Sequence, residues 1–283
     1  MKYDKYLKAE LDFIQQAEVK FSTTHVIDRE LYRAHPGINQ SFVKKIISDG
    51  LEKARYDIAH SEPATEDMII GTAHHAILSD IPGALADFVV HPKIDRRTKE
   101  GKAQWAELMT NAAEGKIMIS EESYEKAMAT AASARSAMKL VMPDFKPEHT
   151  ELSLVSMISI THAGKTIDMA VKGQIDVTGR RDGKLMVLDY KTAQSSQAKK
   201  VFHKAIESHW PMQAYLYSAM LADLRKEPVE PTYVVTSKED TTTRLYGFSE
   251  AMLDMGREDF ARGIYRMHNQ NISDVEYAGV TVL

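Results

Sequence analysis

Two carboxylates and an ammonium are set up to meet in the segment KGQIDVTGRRDGKLMVLDYKT, residues 172–192. Asp182-Gly183 is a strong two-residue turn signal between alternating runs. With these two residues as the turn, Arg181 faces Lys184 and Asp176 falls opposite Asp189. Facing residues of an antiparallel ladder hold their Cβ atoms about 4.5–5.5 Å apart, and like charges there repel. A divalent cation with oxygen ligands removes that repulsion, so the pair reads as a hard-metal site. Alternation puts Lys191 on the face of Asp189, with Met186, Leu188 and Tyr190 on the other. A bulge at Gly179 would shift the register by one and leave an exposed hairpin with scattered charges. The triplet acid-x-Lys is cheap, since Glu18-Val-Lys20, Glu100-Gly-Lys102, Asp144-Phe-Lys146 and Asp182-Gly-Lys184 also match. Only Asp189-Tyr-Lys191 closes an apolar strand with a second acid opposite.

The elements that position these groups follow from periodicity. Tyr3, Leu7, Leu11, Ile14, Ala17 and Phe21 predict an amphipathic helix over 3–21. Asn39 and Ser41 are candidate caps for a helix through Phe42, Ile46 and Ile47, and residues 67–79 read as a buried helix. Ser120-Glu121-Glu122 opens a long helix carrying Tyr124, Ala127, Ala131 and Met138. Alternation then predicts strands over 152–160, 167–177 and 185–191. A helical stretch broken at Pro211, strands at 232–238 and 243–248, and a helix from Ser249 to His268 complete the chain. The order helix, three strands, helix, strand predicts an α/β fold with a mixed central sheet and added helices. The reading is one domain over 28–283 behind an N-terminal helical extension at 1–27.

Composition narrows the function. The chain has 283 residues, 43% of them hydrophobic and 27% charged, which is ordinary globular composition. It has no cysteine, which excludes disulfides, zinc ribbons, iron–sulfur clusters and thiol nucleophiles and leaves a reducing compartment as the expectation. No stretch approaches a membrane span and the N-terminus alternates charges, so a soluble cytoplasmic protein is expected. Net charge is −4, but Lys93, Arg96, Arg97, Lys99 and Lys102 outweigh Asp95 and Glu100 in one short run. Gly164-Lys165-Thr166 imitates the end of a P-loop, yet position 159 is Ser and no helix follows, so no ATP site is expected.

Gly71-Thr-Ala-His-His75, Gly173-Gln-Ile-Asp176, Asp189-Tyr-Lys191 and Gln213-Ala-Tyr-Leu-Tyr217 stand in that order along the chain. This set resembles the PD-(D/E)XK nuclease superfamily in its RecB-like branch, and is most similar to the phage and prophage exonuclease VIII (RecE) nuclease domain. The similarity extends to YRAHPGINQS at 32–41, RRTKEGK at 96–102 and the strand of Glu151, and covers roughly residues 28–250. It implies a restriction-endonuclease-like core. It also implies that His75, Asp176, Asp189 and the Tyr190 carbonyl hold Mg²⁺, with Mn²⁺ as a substitute, and that Lys191 orients or activates the attacking water. Family spacing selects His75 over His74. Glu151 is assigned to a second metal or a water, Gln213 and Tyr217 to support of the site and a terminal phosphate, and Ser41 to the same phosphate. For Tyr217, packing into the core is the other reading. Arg96, Arg97, Lys99 and Lys102 then become DNA-backbone contacts.

The resemblance further implies a phage- or prophage-encoded exodeoxyribonuclease that works 5′ to 3′ on linear double-stranded DNA. Its partners would be DNA ends, further copies of itself in a ring, and a RecT-like annealing protein for the 3′ strand. Alternatives are an endonuclease or single-strand exonuclease of the same superfamily, and an inactive DNA-end-binding protein. The first 27 residues are expected at a subunit interface.

Overall fold

The computed structural model describes residues 2–60, 62–111 and 115–269. Helix α1 (Lys2–Gln16) ends sooner than periodicity predicts, and β1 (Glu18–Val26) follows as an edge strand antiparallel to the first long strand of the sheet. The predicted helix over 3–21 is corrected here. Ala17 and Phe21 fit a helical face, but Val19, Phe21, Thr23 and Thr24 fit a pleated one equally well, and pairing along a strand edge decides. Then come α2 (Arg29–Ala34), α3 (Gln40–Asp49), α4 (Leu51–Ala59) and α5 (Glu66–Ser79). Asn39 caps α3 by accepting from Phe42 N at 2.9 Å, and Thr65 caps α5. Ser41 is inside the first turn of α3, not its cap.

Strands β2 (Phe88–His91) and β3 (Ile117–Ser120) form a small parallel pair joined through α6 (Lys99–Asn111). Ser120 caps α7 (Glu121–Val141) as its sequence predicts. The main sheet has the order β1-β4-β5-β6-β7-β8, built from β4 (Lys146–His162), β5 (Lys165–Arg181), β6 (Lys184–Ala193), β7 (Val229–Ser237) and β8 (Thr243–Gly247). Of its pairs only β6 with β7 is parallel, and that pair needs a crossover, supplied by α8 (Ala198–Glu207) and α9 (Trp210–Arg225). Pro211 sits in the first turn of α9, where its missing N–H costs nothing, and so divides the two helices. The chain closes on α10 (Glu250–His268).

The sheet is covered on both faces. Leu154, Ile158, Ile175, Leu185 and Val187 pack against Met212, Leu216 and Phe260 of α9 and α10. Met186, Leu188, Tyr190 and Val234 pack the opposite face against Ile70, Ala73 and Ala127 of α5 and α7. The mixed sheet between helical layers matches the predicted fold class. Among the described residues no helix is long and apolar enough to cross a membrane.

Candidate active site

The β5–β6 hairpin runs without a bulge from Arg181 opposite Lys184 to Val177 opposite Leu188, so the register read from the turn holds. The next facing residues are Asp176 and Asp189. Backbone pairing stops there, and the Asp176 carboxylate instead accepts the Tyr190 N–H at 2.7 Å. Ile175 belongs to the α9 side of the core and Val177 to the α5 side, although alternation should give them one face. The strand therefore changes phase at Asp176. Across from it on β4, Glu151 is skipped between the pairs Thr150–Val177 and Leu152–Ile175, and it holds a left-handed φ of 49°. Such a conformation is unfavourable for a residue with a Cβ and marks a distorted strand. The distortion turns both carboxylates toward one opening.

That opening is a cavity of about 440 Å³ lined by Met68, Gly71, Thr72, His75, Glu151, Gln174 and Asp176. Gly71 lets α5 approach β6, because a Cβ there would stand 3.3 Å from Thr192 Oγ1. One turn later His75 Nδ1 lies 3.3 Å from Asp176 Oδ2. Its neighbour His74 points away, fully buried, with Nδ1 3.0 Å from Thr130 Oγ1, and burial lowers its pKa to about 3. Behind Asp176, Asp189 is 2% exposed. Its Oδ2 faces Lys191 Nζ at 2.5 Å, and its Oδ1 accepts from Gln213 Nε2 at 2.9 Å. Gln213 Oε1 in turn accepts from Lys191 Nζ at 3.0 Å. The ammonium also lies over the rings of Tyr233 (5.1 Å) and Trp210 (6.0 Å).

The charges are mutually dependent. Burial pushes the Asp189 carboxyl up to about 6, with the charge of Asp176 adding to it and Lys191 opposing. Burial works against the charge of Asp176 too, but His75, Lys191 and the Tyr190 N–H hold it below the usual range. For His75 burial is again the largest influence, and the Asp176 carboxylate outweighs it and raises the imidazole. The two acids are thus shifted in opposite directions, Asp176 down and Asp189 up.

The residue order, the mixed sheet and this geometry converge with the comparisons. The family model of the PD-(D/E)XK nuclease superfamily matches residues 49–278. The chain belongs to that superfamily. Among solved structures, a candidate exonuclease of Eubacterium rectale is 12% identical and superposes with a TM-score of 0.55, covering 91% of this chain and 94% of that one. At that identity the likeness speaks for the fold. Rai1 of Scheffersomyces stipitis is 9% identical over 81% of this chain and 67% of its own, with a TM-score of 0.28, too low to argue from. No curated protein matches the sequence.

The donors of this superfamily member suit a hard divalent cation in kind: three carboxylates and an imidazole. Glu151 Oε2 is buried without a hydrogen bond, 3.4 Å from Arg29 Nη1. Among the described residues no three His, Asp or Glu side chains stand together as a metal cage; His75 lies against Asp176, and Asp189 is paired with Lys191. The residues suit the cation by donor type.

Other predicted residues lie further off. Tyr217 is 8% exposed and packs under the sheet, where Gly173 leaves room for it: a Cβ on Gly173 would meet its ring at 2.8 Å. That is the core reading of Tyr217, and only Gln213 of its motif touches the acid-x-Lys pair. Ser41 is exposed, with Oγ 3.4 Å from Gln40 Oε1. In the basic run, Lys93 pairs with Glu122 at 3.1 Å, Arg97 with Asp95 at 3.0 Å, and Arg96 stacks on Trp105 at 4.6 Å. Lys99 and Lys102, on α6, have no ion-pair partner among the described residues. Sequence reading missed Trp210 and Tyr233 around Lys191, and Arg29 beside Glu151. Trp210 had a signal, since it lies three residues before Gln213 on one helical face. Tyr233 and Arg29 had none.

Proposed function

We propose that the protein is a metal-dependent exodeoxyribonuclease that degrades linear double-stranded DNA from a 5′ end. The observation that carries the hydrolytic part is the convergence of Asp176, Asp189, Lys191, Gln213 and His75 at the point where the β5–β6 ladder breaks. Polarity, duplex preference, Mg²⁺ as the working ion, assembly into a ring and supply of 3′ strands to an annealing protein rest on the similarity to exonuclease VIII nuclease domains. The description of the Eubacterium rectale structure as a candidate exonuclease agrees with the class.

His75, Asp176, Asp189 and the Tyr190 carbonyl would hold the cation, with Glu151 at the rim. When bound, the cation acidifies water and neutralises charge developing on the phosphoryl oxygens. The chain supplies the rest. Lys191 has three N–H donors; one goes to Gln213 while Asp189 answers the charge, which leaves the ammonium able to donate to the attacking water or a non-bridging phosphate oxygen. The aromatic rings beside it shield it from bulk water and offer the ammonium their π-faces. Gln213 touches both catalytic groups and fixes their separation, so the ammonium need not reorganise as charge builds.

The test is digestion of linear duplex DNA labelled at its 5′ or 3′ end, with Mg²⁺ or EDTA. Mg²⁺-dependent release of the 5′ label, absent from Lys191→Ala and Asp189→Ala, is expected. Equal cutting by the variants would refute the site, and retention of uncut DNA in every metal would favour an end-binding protein.

A further inference from the structure

The basic run that the sequence advertises has two of its five cations in ion pairs, Lys93 and Arg97, whereas a second basic surface beside the catalytic lysine has none of its lysines paired among the described residues. Helix α8, AKKVFHKAIE, seats itself through Val201 and Ala205, which are buried with Ala193, Trp210 and Tyr233. Everything else chemical on it faces out: Lys199, Lys200, His203 and Lys204 are exposed, and Phe202 is 53% exposed. Its three lysines outnumber the single Glu207, and none of them has an ion-pair partner among the described residues. Across from it Lys44 of α3 is half-buried and also lacks one. Burial, and after it the charges of Lys204 and Lys191, depress the Lys44 ammonium. Lys191 is answered by Asp189, but Lys44 and Lys204 have no such partner among the described residues; like charges left so are costly for the folded chain, and a polyanion removes the cost.

We infer that α8 and Lys44 bind a single strand of nucleic acid next to Lys191, with phosphates on Lys44, Lys199, Lys200 and Lys204 and a base stacked on Phe202. A large exposed aromatic ring amid lysines is the pairing that unspecific single-strand sites use, because every base offers a π-face and every link a phosphate. The position fits as well: α8 follows β6 after a short loop, and its Val201 and Ala205 share a cluster with Trp210 and Tyr233, the two rings beside the Lys191 ammonium. The assignment rests on the nuclease reading for its purpose, though not for its test.

The experiment is equilibrium binding of a fluorescein-labelled, 5′-phosphorylated single-stranded oligothymidylate to the full-length protein in EDTA, by anisotropy, over a series of salt concentrations. Lys199→Gln/Lys200→Gln/Lys204→Gln is expected to bind at least about tenfold more weakly near 0.1 M salt, with the salt slope reduced by about 0.7 per lysine. Phe202→Ala is expected to lose about fivefold or more with its salt slope unchanged, since it removes stacking and no charge. All four side chains are exposed, and thermal unfolding checks that each variant folds. Unchanged affinity and slope in the lysine variant overturns the assignment. So does a loss confined to Arg96→Gln/Arg97→Gln/Lys99→Gln/Lys102→Gln. The native chain is assayed in parallel for Mg²⁺-dependent cleavage of labelled duplex: failure there sinks the nuclease reading and leaves the binding result standing.

Discussion

The two ends of the β5–β6 hairpin carry similar charges and treat them in opposite ways. At the turn end, Arg180 pairs with Glu148 at 3.0 Å and with Glu227, and Arg225 joins Glu148 at 3.0 Å, so two cations answer two anions. At the open end, Asp176, Asp189 and Glu151 are answered by Lys191 and by Arg29 at 3.4 Å, with His75 hydrogen-bonded to Asp176. The turn end is electrically closed. The open end is short of fixed positive charge, since His75 is charged only when protonated, and its backbone is distorted so that Asp176 and Glu151 face a cavity. On the proposed nuclease reading, charge that serves stability is paired in place, while charge that serves chemistry is left for a ligand to complete.

Breaking the open end should cost most. Lys191→Ala or Asp189→Ala should lower metal-dependent hydrolysis by at least about 10²–10³-fold with the fold intact, measured as initial rates on labelled duplex. Gln213→Ala keeps every metal donor but frees Lys191, and should lower kcat by about 10–100-fold with KM little changed. Gly173→Ala drives a methyl into the Tyr217 ring beneath the site, and should destabilise the protein by about 1–3 kcal/mol in denaturant titration.

Breaking the turn end should cost little. Arg180→Ala removes partly exposed pairs to Glu148 and Glu227, and should lower the denaturation midpoint less than Gly173→Ala does, with hydrolysis unchanged. A paired acid away from both ends gives the smallest and most conditional effect. Asp223 accepts from Thr24 N at 3.1 Å and Lys226 Nζ at 2.8 Å; burial opposes its charge, but these partners hold its carboxyl below the ordinary range. A depressed acid stabilises the fold above its unfolded pKa, so Asp223→Asn should cost about 1 kcal/mol at neutral pH. The difference should close as the pH falls below about 4, followed by thermal unfolding across pH.

Much of this was legible in the residues, for physical reasons that also mark where reading stopped. Asp182-Gly183 fixes a turn, a turn fixes register, and register places Asp176 against Asp189, so the central pair followed from two turn residues. The break at that pair did not follow, because nothing about Glu151 in isolation marks a left-handed backbone; the strain comes from β4 and β5 together. Phe202 reads as a core residue on a helical face, yet it is exposed, because α8 is anchored only by Val201 and Ala205. Four-residue strands such as β2 and β3 are too short to show a period. The boundary at 17–18 was invisible because Ala17 and Phe21 satisfy both periods.

The direct test of the charge deficit is calorimetric titration of Mn²⁺ into the native chain, Asp176→Asn and Arg180→Ala. The native chain and Arg180→Ala should bind the ion saturably, and Asp176→Asn should bind it at least tenfold more weakly, about 1.4 kcal/mol. Equal binding by all three, or none by the native chain, would contradict the account.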